Sequence, residues 1–264
     1  MNFDTPLFQL RIRSGWEAAD LGLLIWRSRP VALCVFFMIP LFAVTGILIP
    51  IAMIAPLPPV LIEDAPLSIM VLHIWLKPLY NRWVLHVCST IFFNNSVRFR
   101  DLFRGIAGTT VRGLVGDLLW RRFSPLRGVM MPLRILEKTS RTQYAARKTA
   151  LSGGGIHFGV LLTVFCVAAG IVLTVGAFLF AYSMDQILGQ EFKDLNNGAI
   201  ALLLFCFAFF NFVLIETLYV CMSFSVYINS RVITEGWDLQ YAFKQLAART
   251  HNSNDIHHTT LPQK

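Results

Sequence analysis

Residues 156–184 read IHFGVLLTVFCVAAGIVLTVGAFLFAYSM, a run without a single Asp, Glu, Lys or Arg. A helix needs about 20 predominantly apolar residues to cross the roughly 30 Å hydrocarbon core of a bilayer. This stretch meets that length with residues to spare, so the chain reads as an integral membrane protein. Composition agrees: 55% of the 264 residues are hydrophobic and 14% are charged, against about 25% charged in soluble domains. A simple soluble globule, a disordered chain, a collagen-like rod and a disulfide-stapled secreted scaffold are excluded. Cys34, Cys88, Cys166, Cys206 and Cys221 form no CxxC and fall mostly in apolar stretches. They read as small hydrophobes, not as bridges or metal ligands.

Working outward, Val31 to Ile62 carries no charge and predicts a span over about 30–55, closed by Pro50, Pro56, Pro58 and Pro59. A second, less apolar span is expected from about Val60 to Lys77. There the lysine would snorkel, and Trp75, Tyr80 and Trp83 would form an interfacial belt. The alternative is a re-entrant or broken helix continuing through Phe93. The quoted run is the third span. The fourth extends from about Gly198 to Asn229 with Glu216 as its one charge, too long for a perpendicular crossing unless it tilts or emerges. The predicted fold is all-α: a polytopic membrane bundle of about four transmembrane helices with amphipathic interfacial helices.

Charge sets the expected orientation. Residues 94–155 hold twelve basic and three acidic residues, a net +9, whereas 185–197 sum to −2 and the 55–64 connector carries only Glu63 and Asp64. Basic loops stay on the cytoplasmic side. The N-terminus, the central segment and the C-terminus are therefore expected inside, and the two short acidic connectors outside. The chain divides into a cytoplasmic amphipathic N-terminal helix (1–29), a first transmembrane hairpin (30–93), a basic cytoplasmic segment (94–155), a second hairpin (156–230) and a C-terminal helix with a polar tail (231–264).

Ser14 followed by Glu17 is a capping-box pattern and predicts a helix lying in the interface, with Ala18, Leu21, Gly22, Ile25 and Trp26 on one face. Within 110–123, Val111, Leu114, Val115 and Leu118 recur at helical spacing, followed by Trp120, Arg121 and Arg122. That pattern predicts another interfacial helix. A third is expected over 234–249, acidic at its start and basic at its end.

GWEAADLGLLIWRSRP, HIWLKPLYNRWVLHVCSTIF, PLRILEKTSR and SVYINSRVITEGWDLQYAFKQLA together resemble a group of uncharacterised bacterial inner-membrane proteins encoded beside MoxR-type ATPase and transglutaminase-like genes. The layout is more distantly similar to the membrane domain attached to some glycerophosphodiester phosphodiesterases. The resemblance implies a bacterial inner-membrane protein assisting envelope maintenance, and it brings no activity with it.

An ionisable residue inside a span is costly and marks a candidate site. Glu216, with Asn211 five residues earlier, is that candidate here. It is expected near the cytoplasmic interface, paired with Arg82 or another juxtamembrane arginine, and the pair Glu216 and Asn211 would line the pathway if the chain served an oligomeric transporter or channel. Arg98, Arg100, Arg104, Arg112, Arg121, Arg122 and Arg127 are candidate contacts to anionic headgroups, each worth about 1 kcal/mol near the surface. A specific lipid-head or phosphate pocket is the second reading of these arginines.

SGGGIHFG at 152–159 has neither the Lys-Ser/Thr ending nor the preceding strand of a phosphate loop. Gly155 and Gly159 form one GxxxG, read as a packing contact. The histidines lack metal-ligand spacing, and the serines and cysteines lack a base at a defined offset. No enzyme, cofactor, metal or nucleic-acid partner is expected. The expected role is a scaffold or accessory subunit that engages anionic lipid and either a protein partner or a second copy. A lipid-acting enzyme is the third possibility.

Overall fold

The computed structural model describes residues 11–54, 65–93, 98–111, 113–137, 141–153, 155–188, 190–237 and 243. No strand occurs among them; the chain is a helical bundle.

Helix α1 (Gly15–Ser28) starts where the capping pattern places it: the Ser14 hydroxyl oxygen accepts from the Glu17 backbone N–H at 3.3 Å. Pro30 then opens α2 (Pro30–Ile54) at the position where a missing N–H matters least. Pro40 and Pro50 lie inside α2. The connector containing Glu63 and Asp64 lies outside the described residues.

Helix α3 (Ala65–Phe93) continues unbroken through Pro78 to Phe93, so it neither ends at Lys77, as the shorter span required, nor breaks there; residues 60–64 lie outside the described residues. It retraces α2 in the opposite direction: Thr45 meets His73 at 2.9 Å, Phe37 meets Tyr80 with ring centroids 5.3 Å apart, and Phe36 meets Phe103 at 4.6 Å beyond the end of α3. Among the described residues three helical stretches are long and apolar enough to cross a membrane by themselves, at Pro30–Ile47, Phe158–Ser183 and Leu203–Glu235, and α3 is not among them. Its polar groups are covered from within. The Thr45 hydroxyl donates to the Leu41 carbonyl, so its oxygen is free to accept from His73 Nε2–H, while His73 Nδ1 accepts from the Tyr80 hydroxyl at 2.8 Å. His73 is thereby satisfied in its neutral form.

The basic central segment folds as a cap of short helices: α4 (Phe99–Leu102), α5 (Ile106–Val111), α6 (Leu114–Leu119), a 3-10 turn (Arg121–Phe123), α7 (Arg127–Ile135) and α8 (Arg141–Ser152). The single helix expected over 110–123 is interrupted at Gly113, whose φ of +68° turns the chain between α5 and α6. Arg112 lies outside the described residues.

Helix α9 (Phe158–Leu188) exposes large apolar side chains along its length, including Leu161, Phe165, Ile171, Val172 and Phe180. Such a surface suits contact with lipid, not water. Helix α10 (Gln190–Glu235) runs unbroken for 46 residues, about 69 Å at 1.5 Å per residue. Tilt alone does not absorb that length. Its first half exposes Leu203, Phe207 and Phe210, whereas from Glu216 to Val232 every residue is buried or half-buried. Helices α1, α2, α3, α7, α8 and α9 all pack on α10, which is the spine of the molecule.

Helix α1 buries the face read from the sequence, Ala18, Leu21, Gly22 and Ile25, but against α10 and not into a lipid surface. The two run antiparallel: Trp26 Nε1 donates to Thr217 Oγ1 at 3.0 Å, Gly22 lies on Met222, and Asn229 exchanges two 2.9 Å hydrogen bonds with the Arg13 backbone. Gly159 packs on Val129, while nothing lies within 4 Å of a Cβ built at Gly155, so the GxxxG is not one contact surface. All five cysteines are free; Cys88, Cys166 and Cys221 are buried, and Cys206 is exposed. Of the C-terminal helix expected over 234–249, only the end of α10, Gly236, Trp237 and Phe243 fall among the described residues, and the tail histidines fall outside them.

Candidate functional site

One face of α3 presents His73, Lys77 and Asn81 at successive turns, with Arg82 next to Asn81. Helix α10 brings Glu216 against this face. The Lys77 ammonium pairs with Glu216 Oε1, and Asn81 Nδ2 donates to Oε2 at 3.2 Å. Both carboxylate oxygens are thus engaged. Because a carboxylate only accepts, it dictates which end of the Asn81 amide faces it. One turn further along α10, the Tyr219 ring lies 5.9 Å from both Lys77 Nζ and the Arg127 guanidinium carbon. The Tyr219 hydroxyl accepts from the Gly128 backbone N–H at 3.2 Å and meets Thr163 Oγ1 at 2.9 Å, tying the start of α7 to α9 and α10.

Arg82 points the other way, into the cap. Its Nη1 donates to the carbonyls of Thr109 (3.2 Å) and Thr110 (2.8 Å), and its Nη2 meets Asp117 Oδ2 at 2.5 Å. The carbonyls lie in the last turn of α5, where the helix dipole favours a cation, and the planar guanidinium reaches carbonyls and carboxylate together. The second Asp117 oxygen lies 2.7 Å from Arg134 Nη1 and 3.7 Å from Arg121 Nη1. Burial lowers the pKa of Arg134, with Asp117 opposing that shift.

Between these two clusters is a cavity of about 20 Å³, room for one or two waters. Asn81, Asp117, Arg121, Arg127, Arg134 and Tyr219 supply its polar wall. In two of these residues one further polar atom, Asn81 Oδ1 and Arg134 Nε, is buried without a hydrogen-bond partner.

A second ionic cluster closes the end of α10. Arg231 meets Glu137 at 2.9 Å and Glu235 through Nε at 2.8 Å; Arg147 meets Glu137 at 3.0 Å and Glu235 at 2.6 Å; the Tyr227 hydroxyl donates to Glu137. The Trp237 ring covers Arg231 at 3.9 Å. Among the described residues two cations balance two anions, and the cluster fastens α7 and α8 to α10.

The residues singled out from the sequence are therefore separated. Glu216 pairs with Lys77, not Arg82. Arg82 pairs with Asp117. Asn211 turns to α9, donating to the Gly170 carbonyl (3.1 Å) and Thr174 Oγ1 (2.8 Å), an interhelical hydrogen bond of the kind common between membrane helices. Arg98, Arg100 and Arg104 are exposed on the cap, while Arg121 and Arg127 line the cavity. The Arg122 side chain, like Arg112, lies outside the description.

Lys77, Asn81, Asp117 and Tyr219 were missed as site residues. Two signals pointed to them. Lys77 and Glu216 are lone opposite charges in apolar surroundings, and Asp117 is a rare acid in a basic segment, four residues before Arg121. Among the described residues no three His, Cys, Asp or Glu come together as a metal site. No family model, curated protein or solved structure matches the chain.

Proposed function

We propose that the protein is a non-enzymatic scaffold or accessory subunit of a bacterial inner membrane. Its basic cap is seated on the anionic headgroups of the cytoplasmic leaflet, and both termini lie on that side. One observation carries the reading. Trp120 is 86% and Phe123 77% exposed, with Phe99, Phe103, Val115 and Leu119 also exposed, and Arg98, Arg100, Arg104 and Arg121 are interleaved with them. Large apolar side chains alternating with arginines match the boundary between headgroups and acyl chains. Water alone would leave this patch uncovered. The Arg82–Asp117 pair fixes the patch to the bundle. Four arginines near an anionic surface contribute about 4 kcal/mol, enough to hold a cap already tethered by its spans. Retention of positive charge on the cytoplasmic side sets the orientation.

The test is quenching of tryptophan emission in bilayers containing brominated lipids, comparing the protein with Trp120→Phe. The Trp120 component is expected to be quenched, and more strongly by brominated phosphatidylglycerol than by brominated phosphatidylcholine. Equal emission with and without bromine would refute the seating of the cap. Reporter fusions after residues 125, 192 and 264 are expected to read inside, outside and inside. Co-purification in mild detergent tests for a stable partner or a second copy.

A further inference from the structure

We propose that the cavity between α3, α6, α7 and α10 binds a phosphate ester bearing a hydroxyl group, supplied by the headgroup of an anionic phospholipid. This deepens the reading above by naming the headgroup chemistry recognised behind the cap. Three of the charged residues on the cavity wall are arginines, Arg121, Arg127 and Arg134, against the single acid Asp117. Asp117 is already engaged by Arg82 and Arg134. Among the described residues the side chains of this wall sum to a positive formal charge, carried by donor groups that suit phosphate oxygens.

Asn81 supplies the second recognition element. This wall residue is 4% exposed, and Glu216 holds its Nδ2, which leaves Oδ1 as a buried acceptor without a hydrogen-bond partner. A buried acceptor left unmatched is costly, and a ligand hydroxyl would satisfy it. Arg134 Nε is likewise buried without a partner. At about 20 Å³ the cavity admits only the tip of such a ligand. The remainder stays outside, beside Arg121, whose side chain is 43% exposed. Leu119 and Trp120, exposed next to Arg121, favour a ligand that arrives with acyl chains over a free phosphate.

The test uses the full chain in neutral detergent micelles and follows thermal unfolding with four probes: short-chain phosphatidylglycerol, phosphatidylmethanol, phosphatidylcholine and inorganic phosphate. Saturable stabilisation by phosphatidylglycerol is expected, several-fold weaker stabilisation by phosphatidylmethanol (same charge, no hydroxyl), and none by phosphatidylcholine. Inorganic phosphate should act only at far higher concentration. Arg121→Gln, whose charged partner lies no nearer than 3.7 Å, should fold and raise the half-saturating phosphatidylglycerol concentration about tenfold.

No stabilisation by any anion, or an unchanged response in Arg121→Gln, overturns the site. Equal responses to phosphatidylglycerol and phosphatidylmethanol overturn the hydroxyl, and a response to inorganic phosphate as strong as to phosphatidylglycerol overturns the lipid source. Micelles present no leaflet, so this result stands or falls independently of the Trp120 quenching.

Discussion

Arg82 and Asp117 meet at 2.5 Å with side chains only 1% and 7% exposed, joining the interior helix α3 to the cap. Removing one member leaves the other charged and buried, which typically costs about 3–5 kcal/mol. Arg82→Met and Asp117→Leu are each expected to lose that much in detergent unfolding. The double variant should lose clearly less than the sum of the two. Strict additivity in the double-mutant cycle would mean that the pair does not couple cap to bundle.

Lys77 and Glu216 are expected to act as a structural tie. Lys77→Met, which strands the Glu216 carboxylate, should destabilise by roughly 3 kcal/mol or more. The double variant Lys77→Met/Glu216→Gln should recover to within about 1 kcal/mol of the parent, because a neutral pair of similar volume replaces the ionic one. In liposomes, Glu216→Gln should leave proton and cation flux unchanged. A flux that is present in the parent and lost in this variant would revive a coupled pathway through Glu216.

A Cβ at Gly22 would lie 2.4 Å from Met222 Cα and 2.8 Å from the Cys221 carbonyl oxygen. These are backbone atoms and cannot step aside as a flexible side chain would. Gly22→Ala is expected to separate α1 from α10 locally and destabilise by about 1–3 kcal/mol, with a larger loss for Gly22→Leu. An unchanged unfolding midpoint for Gly22→Ala would contradict the close approach.

Asn229 holds the chain ahead of α1 through two hydrogen bonds to the Arg13 backbone. Asn229→Ala should free that segment with a loss of about 1–2 kcal/mol. The sharper readout is limited trypsin digestion: cleavage after Arg13 is expected to be slow in the parent and fast in the variant.

Much of this architecture is legible in the sequence wherever one local pattern decides the outcome. The unbroken apolar runs define α2, most of α9 and the middle of α10, and Ser14 with Glu17 marks the start of α1, whereas the acidic stretch read as a connector over 185–197 falls largely within the end of α9 and the start of α10. Helix α3 is harder to read because Lys77, Pro78 and Arg82 break its hydropathy. What makes them tolerable are Glu216 and Asp117, partners 139 and 35 positions away along the chain. The second half of α10 misleads for the converse reason. Its polar residues Asn229 and Arg231 suggest an exposed end, yet α1 and the Glu137 cluster enclose them. The candidate site was half legible: Glu216 stood out as a lone intramembrane charge, whereas Asn81 and Asp117 acquire meaning only when α3, α6 and α10 converge.

The antiparallel seating of α1 on α10 has a consequence for biosynthesis. Trp26 and Thr217 are 191 positions apart, so at about 5–20 residues per second the ribosome takes roughly ten to forty seconds to deliver the second after the first. Throughout that interval the face of α1 that packs on α10 lacks its main partner, and only the smaller contacts with α2 and α3 can form. Only when the Glu216–Val232 part of α10 has been made can α1 take up its final contacts.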